Sequence, residues 1–260
     1  MEGYLKDGYS RMMPSRDKIV QFTNELLHAT QFPDYAPSGL QVVGAPEVTR
    51  IACGVSASLE LFRKAREIRA NMLLVHHGMF WDNDPRIIDH TMRLRLEELF
   101  TGGISLVAYH LCLDAHPTIG NNALLANALD LLPDRDPFSS VGIGGNLTTI
   151  CPPAELVTRI EKALGRAPTL FTGGPDIIKR IAICTGSAAD TIKQAADEGY
   201  DCLITGEPRE STMMAARELG ITFIAAGHYA TETFGIKKLA EVTAEEFSIP
   251  WDFIDLYNPV

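Results

Sequence analysis

The sequence lacks several features that would assign it quickly to a functional class. None of its apolar runs approaches the 18 or so residues that a membrane-spanning helix needs, and it contains no low-complexity segment. Its 23 Lys and Arg residues are outnumbered by 33 Asp and Glu residues, which gives a net charge of -10. Because duplex DNA and anionic membranes both bind basic surfaces, this balance disfavours either as a partner.

Common motifs for phosphate binding and for nucleophilic catalysis are also missing. The glycine pairs in VGIGG and FTGGP lack the Lys-Ser/Thr of a P-loop, and no G-x-S-x-G motif occurs. The five cysteines are widely spaced and form no C-x-x-C. They therefore predict neither a disulfide framework nor a cysteine-ligated zinc site, and they favour a reducing, cytoplasmic location.

The length of 260 residues allows one large domain or two modest ones. Residues 1–15 contain no apolar signal segment and predict a flexible tail. The first predicted helix follows, from about Ser15 to Ala29.

Two parts of the chain repeat the same arrangement. The stretch from Arg50 reads RIACGVSASLELFRKAREIRANMLLVHHG, and the stretch from Arg180 reads RIAICTGSAADTIKQAADEGYDCLITGEP. Each combines a short apolar strand, a turn with Gly and Ser, an amphipathic helix and a second apolar strand. Strands that alternate with helices predict an α/β fold of two related units with mainly parallel sheets covered by helices. Between them, residues 132–179 predict loop-rich connecting sequence around one helix, Pro153–Leu164, and residues 251–256 predict a final strand.

Polar clusters follow the strands of both repeats. Histidine is scarce, at seven residues, yet His76 and His77 come directly after one predicted strand, Met72–Val75. After the third strand of each half, a histidine is followed four residues later by an acid, and these pairs are His110 with Asp114 and His228 with Glu232. Nitrogen and carboxylate ligands at the carboxyl ends of strands predict a site for Zn, Fe, Mn, Ni or Co. Taken singly, each residue also has a structural explanation, such as Glu232 favouring a helix N-terminus.

The segments VHHGMFW, HLCLDAHPTIGNN, ITGE, GHYATE, DLYNPV and PSGLQVVG together resemble the Nif3-like dinuclear metal-centre family, whose members are often called type 2 GTP cyclohydrolase I homologues. The resemblance runs from about Lys18 to Val260 and is to the short bacterial form. It implies a first α/β domain of residues 16–125 plus 235–260, a second of residues 126–234, and a metal site between them. It also implies a toroidal homohexamer, a trimer of dimers.

Carried over by motif, the resemblance implies that five residues ligate two divalent metal ions per subunit: His76, His77, Asp114, His228 and Glu232. His110 matches a motif histidine that either ligates directly or supports the ligands. We expect His110 and Glu207 to act as catalytic proton-transfer groups. Cys112 departs from the family pattern, and we interpret it as either a soft ligand or a buried, inert thiol.

The function implied is a divalent-metal-dependent hydrolase acting on a purine nucleotide, with guanine ring opening in GTP as the family's proposed reaction. Metal ions would supply the activated water. Phosphates would need arginines such as Arg86, Arg93 or Arg95. The alternative is a non-catalytic, metal-binding ring or scaffold that binds nucleic acid or a regulatory partner.

Overall fold

Two β-sheets form the frame of the protein, each covered by helices. The computed structural model describes residues 13–260; most of the tail predicted for residues 1–15 therefore lies outside the described residues. Pro14 and Ser15 are described: the Pro14 carbonyl accepts a hydrogen bond from the Val48 amide at 2.9 Å, and Ser15 forms a bridge with Glu47.

The first sheet has five strands in the spatial order β1-β4-β3-β2-β11. They are β1 (Gly39–Val42), β2 (Ile51–Ser56), β3 (Met72–His77), β4 (Ser105–Ala108) and β11 (Trp251–Phe253). Apart from the antiparallel pairing of β1 with β4, all pairings are parallel. The central strands are apolar and buried along almost their whole length, as expected for parallel strands with helices on both faces.

The second sheet has six strands in the order β5-β6-β8-β9-β10-β7. They are β5 (Leu131–Pro133), β6 (Ile143–Cys151), β7 (Thr169–Phe171), β8 (Ile178–Cys184), β9 (Cys202–Thr205) and β10 (Thr222–Ala225). The neighbours β8, β9 and β10 are parallel, and the pairings toward the sheet edges are antiparallel. The predicted α/β fold class is thus confirmed, with its parallel strands at the centre of each sheet.

The prediction for residues 132–179 was wrong in one respect. This segment contains the predicted helix Pro153–Leu164, but it also contains β6 and β7, where only connecting loops were expected. The strand β6 carries two glycines and leaves several of its side chains exposed, so its sequence resembles that of a loop. Pairing with β5 and β8 is what makes it a strand.

Ten α-helices are described, together with one 3₁₀ turn at Ala189–Thr191. They are α1 (Arg16–Leu26), α2 (Leu59–Glu67), α3 (His90–Gly102), α4 (Leu111–Asp114), α5 (Asn121–Ala128), α6 (Pro153–Leu164), α7 (Ile192–Asp197), α8 (Thr212–Leu219), α9 (His228–Thr231) and α10 (Thr233–Phe247). Side-chain caps begin two of them: the Ser58 hydroxyl accepts from the Leu61 amide before α2, and the Asp89 carboxylate accepts from the Met92 amide before α3. Among these described helices, none is long and apolar enough to cross a membrane.

The carboxyl ends of the central strands in both sheets open onto one cavity. His77 ends β3, while His110 follows β4 by two residues. In the second sheet, Cys184 ends β8 and His228 follows β10. Ligands of α/β proteins bind at this end of parallel strands. The fold therefore brings the polar segments of the two repeats to one place.

Candidate metal centre

A cavity of about 750 Å³ lies at the carboxyl ends of the central strands of both sheets, and most of the histidines and acids predicted from the sequence line it. It lies within the range of roughly 300–1,000 Å³ typical of small-molecule sites. Its wall also includes Tyr35 and Trp81, whose ring centroids are 5.7 Å apart. The cavity therefore offers charged ligands at one place and an aromatic surface beside them.

His76 and His77 lie within β3 rather than beyond its end, because the strand continues to His77. Neighbouring side chains of a strand point to opposite faces, yet these two rings have centroids only 4.7 Å apart. Separate hydrogen bonds hold them there: His76 Nδ1 donates to the Tyr109 carbonyl at 2.9 Å, and His77 Nδ1 bonds the Ser56 hydroxyl at 2.8 Å. The strand end thus brings the two rings together.

His110 precedes the short helix α4, and Asp114 is the last residue of that helix, which begins shortly after β4. His110 Nδ1 donates to Asp34 Oδ1 at 3.0 Å, and the same carboxylate accepts from the Leu111 amide at 2.9 Å. Asp34 therefore fixes both the ring of His110 and the start of the helix. Asp34 was not predicted from the sequence, where its only local signal is an acid in the loop just before PSGLQVVG.

His228 and Glu232 occupy the equivalent place in the second half. Gly227 precedes them with a φ of 100°, a conformation that favours glycine, and its backbone packs against the Arg166 side chain. This turn lets α9 begin at His228 and brings Glu232 to the junction of α9 and α10. His228 Nδ1 donates to Glu207 Oε1 at 3.1 Å.

The six side chains form three overlapping groups, in each of which the potential ligand atoms lie within 4.8 Å of one another. The groups are His76–His77–His110, His77–His228–Glu232 and His76–Asp114–Glu232. Glu232 contacts three of the histidines. Its Oε2 lies 3.2 Å from the Nε2 atoms of both His77 and His228, and its Oε1 lies 3.5 Å from His76 Nε2. His76 Nε2 also lies 3.4 Å from Asp114 Oδ2.

Hydrogen bonds on Nδ1 determine which nitrogen each ring turns toward the cluster. A carbonyl or carboxylate oxygen can only accept, so His76, His110 and His228 carry a proton on Nδ1. In their neutral form, Nε2 then has a lone pair. The Nε2 lone pairs of His76 and His228 face the Glu232 carboxylate, and acceptors that face each other are stabilised by a cation between them.

Two atoms at the centre of the cluster have no hydrogen-bond partner among residues 13–260. They are His76 Nε2 and Glu232 Oε2, and both are buried. A buried polar atom without a partner is costly unless something else satisfies it. Divalent metals of the Zn, Fe, Mn, Ni and Co group accept this combination of imidazole and carboxylate ligands. The residues therefore fit a metal centre.

The electrostatics of the cluster point the same way. Burial alone would lower the pKa of His76, but the Asp114 and Glu232 carboxylates outweigh burial and hold that pKa well above its usual value. Burial alone would raise the pKa of Glu232, but the surrounding histidines hold it well below its usual range. Burial also opposes the charged form of His228, yet Glu232 and Glu207 raise its pKa to about 9. The acids thus attract positive charge to the cluster.

Asp114 differs from Glu232 because neutral donors occupy one of its oxygens. Asn121 Nδ2 donates to Asp114 Oδ1 at 2.8 Å, and the Thr185 hydroxyl donates to the same oxygen at 3.2 Å. The Asn121 side chain also accepts from the Gly235 amide at 2.7 Å. The other Asp114 oxygen remains directed at His76. Neither Asn121 nor Thr185 was predicted from the sequence, although Thr185 carries the signal of a hydroxyl at the end of a strand.

Three other predicted positions have distinct surroundings. Glu207 does not line the cavity but lies behind His228, so a proton relay from it would pass through that ring. Cys112 is buried with its Sγ 3.8 Å from the Ser38 hydroxyl, and burial raises its pKa to about 11. Among the three arginines proposed for phosphate binding, only Arg95 lines this cavity; Arg86 lines an adjacent cavity of about 620 Å³, and Arg93 pairs with Glu97 at 3.4 Å.

Comparisons with known proteins show which family and which solved structures the chain resembles. The family model Duf34/NIF3 (NGG1p interacting factor 3) matches residues 14–259. A Yersinia pestis protein named GTP cyclohydrolase 1 type 2 homolog is 44% identical over 238 residues, which cover 91% of this chain and 96% of that protein. The solved structure of protein ybgI, of unknown function, has a TM-score of 0.92 at 41% identity and covers 95% of this chain and 100% of its own. The structure of TTHA1606 from Thermus thermophilus has a TM-score of 0.87 at 36% identity. The match covers 95% of this chain and 100% of that chain.

Proposed function

The chain belongs to the Duf34/NIF3 family, and on that premise we propose that it is a divalent-metal-dependent hydrolase with a dinuclear centre. The proposed substrate is a purine nucleotide, because relatives carry the name GTP cyclohydrolase 1 type 2 homolog. The proposed ligands are His76, His77, Asp114, His228 and Glu232. Two ions of Zn, Fe, Mn, Ni or Co per subunit are proposed, since the ligand atoms form more than one overlapping group.

One observation carries this proposal above the others. The buried Glu232 carboxylate lies within 3.5 Å of ring nitrogens from three histidines, while its Oε2 has no hydrogen-bond partner among the described residues. Hydrogen bonds on the opposite ring nitrogens keep these rings oriented, which is the usual support for metal-ligating histidines. A carboxylate buried among three histidine nitrogens, with one oxygen that accepts no hydrogen bond from the described residues, is an arrangement that a bound cation would stabilise.

The chemistry follows from the positions of the side chains. Divalent ions held here would acidify a bound water and polarise a substrate oxygen. His110 lines the cavity and is oriented by Asp34, so we propose that it holds or transfers a proton at Nε2. Glu207, through its bond to His228 Nδ1, keeps that ring oriented and would exchange protons with the cavity by way of it.

A homohexamer, built as a trimer of dimers, and a cytoplasmic location belong to the same proposal. All five cysteines are free and buried, which favours a reducing compartment. Native mass spectrometry tests the assembly directly: a mass of six chains supports the hexamer, and a monomer contradicts it.

The test of the function combines metal analysis with turnover of GTP. Wild-type protein is expected to hold two ions per chain and to release formate from GTP. His228→Ala is expected to lose metal and turnover together. His90→Ala is the matched control, because His90 is exposed at the start of α3 and lies outside the ligand groups. Full turnover by metal-free His228→Ala would contradict the hydrolase. Two bound ions without any turnover would favour the alternative, a metal-binding scaffold.

A further inference from the structure

The charges that line the metal cavity are strongly unequal. Besides the acids of the metal cluster, the wall includes Asp84 and Asp190. Arg95 is the one Lys or Arg side chain among the described residues of this wall. It extends from the middle of α3, a helix that belongs to the first half of the chain. A ligand with an anionic group would therefore find a single permanent cation in the cavity.

Arg95 is set apart from its neighbours because it has no acidic partner. Arg93, on the same helix, pairs with Glu97 at 3.4 Å, and Arg63 and Arg66 share Glu98 at 3.2 and 3.3 Å. Among residues 13–260, no carboxylate lies within 4.0 Å of the Arg95 guanidinium, and its buried Nε has no hydrogen-bond partner. A buried guanidinium N–H without a partner is costly, and an oxyanion satisfies it with a charge-assisted bond.

Hydroxyl groups of the second half line the same cavity as Arg95. They belong to Ser139, Ser140 and Ser187. An arginine that shares a cavity with serine hydroxyls suits a tetrahedral phosphate, whose three terminal oxygens accept more hydrogen bonds than the two oxygens of a carboxylate. One arginine, in a cavity whose wall also carries Asp84, suits one phosphate rather than a chain of three.

We infer that Arg95 binds a single phosphomonoester group of the molecule on which the metal centre acts. The inference rests on the proposed function and narrows its preferred substrate from a nucleotide in general to a monophosphate, so that GTP, used in the turnover test above, would be the poorer substrate. The aromatic pair Tyr35 and Trp81 lies beside the cluster, with both rings 5.1 Å from His110, and provides a surface for the planar part of the ligand. In this arrangement the phosphate would lie toward Arg95, and the planar ring would lie against Tyr35 and Trp81, beside the histidine cluster.

The first experiment uses inorganic phosphate as the probe, with metal-loaded protein and ³¹P NMR titration. Arg95→Gln removes the guanidinium, and Arg93→Gln removes the same charge from the same helix outside the cavity. We expect Arg95→Gln to weaken phosphate binding about 10-fold or more, and Arg93→Gln to leave it unchanged. Arg95→Lys serves as the second variant and is expected to bind phosphate with intermediate affinity. It keeps the positive charge but loses the paired N–H donors of the guanidinium. Equal weakening in both glutamine variants, or none in Arg95→Gln, overturns the inference.

A parallel titration with acetate separates phosphate from carboxylate. Acetate is expected to bind at least about 10-fold more weakly than phosphate to the wild type, since it has fewer acceptor oxygens. If acetate binds as tightly as phosphate and depends equally on Arg95, the assignment to a phosphomonoester is wrong.

The second experiment compares guanosine, GMP and GTP by calorimetry. We expect GMP to bind the wild type about 10-fold more tightly than guanosine, and this advantage to disappear in Arg95→Gln but not in Arg93→Gln. GTP binding more tightly than GMP through Arg95 overturns the assignment of a single phosphate. If no purine compound binds while the phosphate site depends on Arg95, the purine hydrolase fails and the Arg95 site stands. If phosphate binding does not depend on Arg95, the proposed phosphate site is wrong, whether or not the purine compounds bind.

Discussion

The two halves of the metal centre share one sequence pattern, a histidine followed four residues later by an acid, but they hold the two acids differently. In the first half, neutral donors from Asn121 and Thr185 occupy one oxygen of Asp114. In the second half, Glu232 lies among three histidine nitrogens, and its Oε2 has no hydrogen-bond partner among the described residues. The repeat therefore determines where an acid lies along the chain, whereas its neighbours determine what that acid does.

The same contrast extends to the histidines. His110 is oriented by Asp34, whose side chain is only 4% exposed and which also binds the Leu111 amide. His228 is oriented by Glu207, whose side chain is 31% exposed and accepts one hydrogen bond. In the first half, a buried carboxylate supports the histidine, and neutral donors bind one oxygen of the acid. In the second half, a partly exposed carboxylate supports the histidine, and among the described residues the acid pairs only with histidines of the cluster.

The largest effect is expected when the two acids are compared directly. Glu232→Gln removes the negative charge that all three histidines share, so we expect metal affinity to fall by at least about 100-fold, the upper end of losses typical for supporting residues. Asp114→Asn is expected to weaken the binding of one ion and to leave the other bound, because Asp114 faces only His76 among the histidines. Metal analysis after dialysis against a chelator measures both.

Glu241→Gln is the control for Glu232→Gln, because Glu241 lies on α10 and pairs with the surface residue Lys238. It is expected to keep the full metal content. Identical losses in Glu232→Gln and Asp114→Asn would show that the two acids are equivalent, contrary to the comparison.

A smaller effect is expected when the supports of the two histidines are compared. Asp34→Asn is expected to lower metal affinity or turnover about 10- to 100-fold, because it disturbs His110 and the start of α4 together. Glu207→Gln leaves a partly exposed side chain that still accepts a hydrogen bond from His228 Nδ1. We therefore expect metal affinity and turnover to fall by less than about 10-fold. Chelator competition and steady-state kinetics distinguish them, and a larger loss in Glu207→Gln would reverse the proposed order.

The next prediction concerns the contact between α5 and α10. Asn121→Ala leaves the buried Gly235 amide without its partner and frees one oxygen of Asp114, so we expect a loss of about 1–3 kcal/mol in the free energy of unfolding. Asn127→Ala, at an exposed position of the same helix, is expected to change stability by less than about 0.5 kcal/mol. Urea denaturation measures both, and equal stability of the two variants would mean that the Asn121 bonds contribute little.

Features with a local sequence signal could be predicted, whereas features that depend on tertiary contacts could not. The sequence predicted the α/β fold and the residues that meet at the cavity, because strand ends and the repeated spacing of histidine and acid are local signals. Asp34 was missed because it meets His110 across 76 residues of chain and belongs to neither repeat. The strand β6 was missed because two glycines and exposed side chains conceal a strand that only its neighbours stabilise. In each case, the missing information lies in a tertiary contact.

The smallest effect is expected at Cys112, which lies between His110 and Asp114. Its burial leaves two interpretations open from sequence, a soft metal ligand or an inert thiol. The geometry favours the second, because Cys112 belongs to none of the three ligand groups and its Sγ lies near the Ser38 hydroxyl. Cys112→Ala is therefore expected to retain the metal content and affinity of the wild type, and to lose only about 1 kcal/mol of stability from reduced packing. Chelator competition and thermal unfolding measure these two quantities. Loss of one ion in Cys112→Ala would instead make the first half of the centre a thiolate site, and the difference between the halves would then lie in their ligands as well as in how their acids are held.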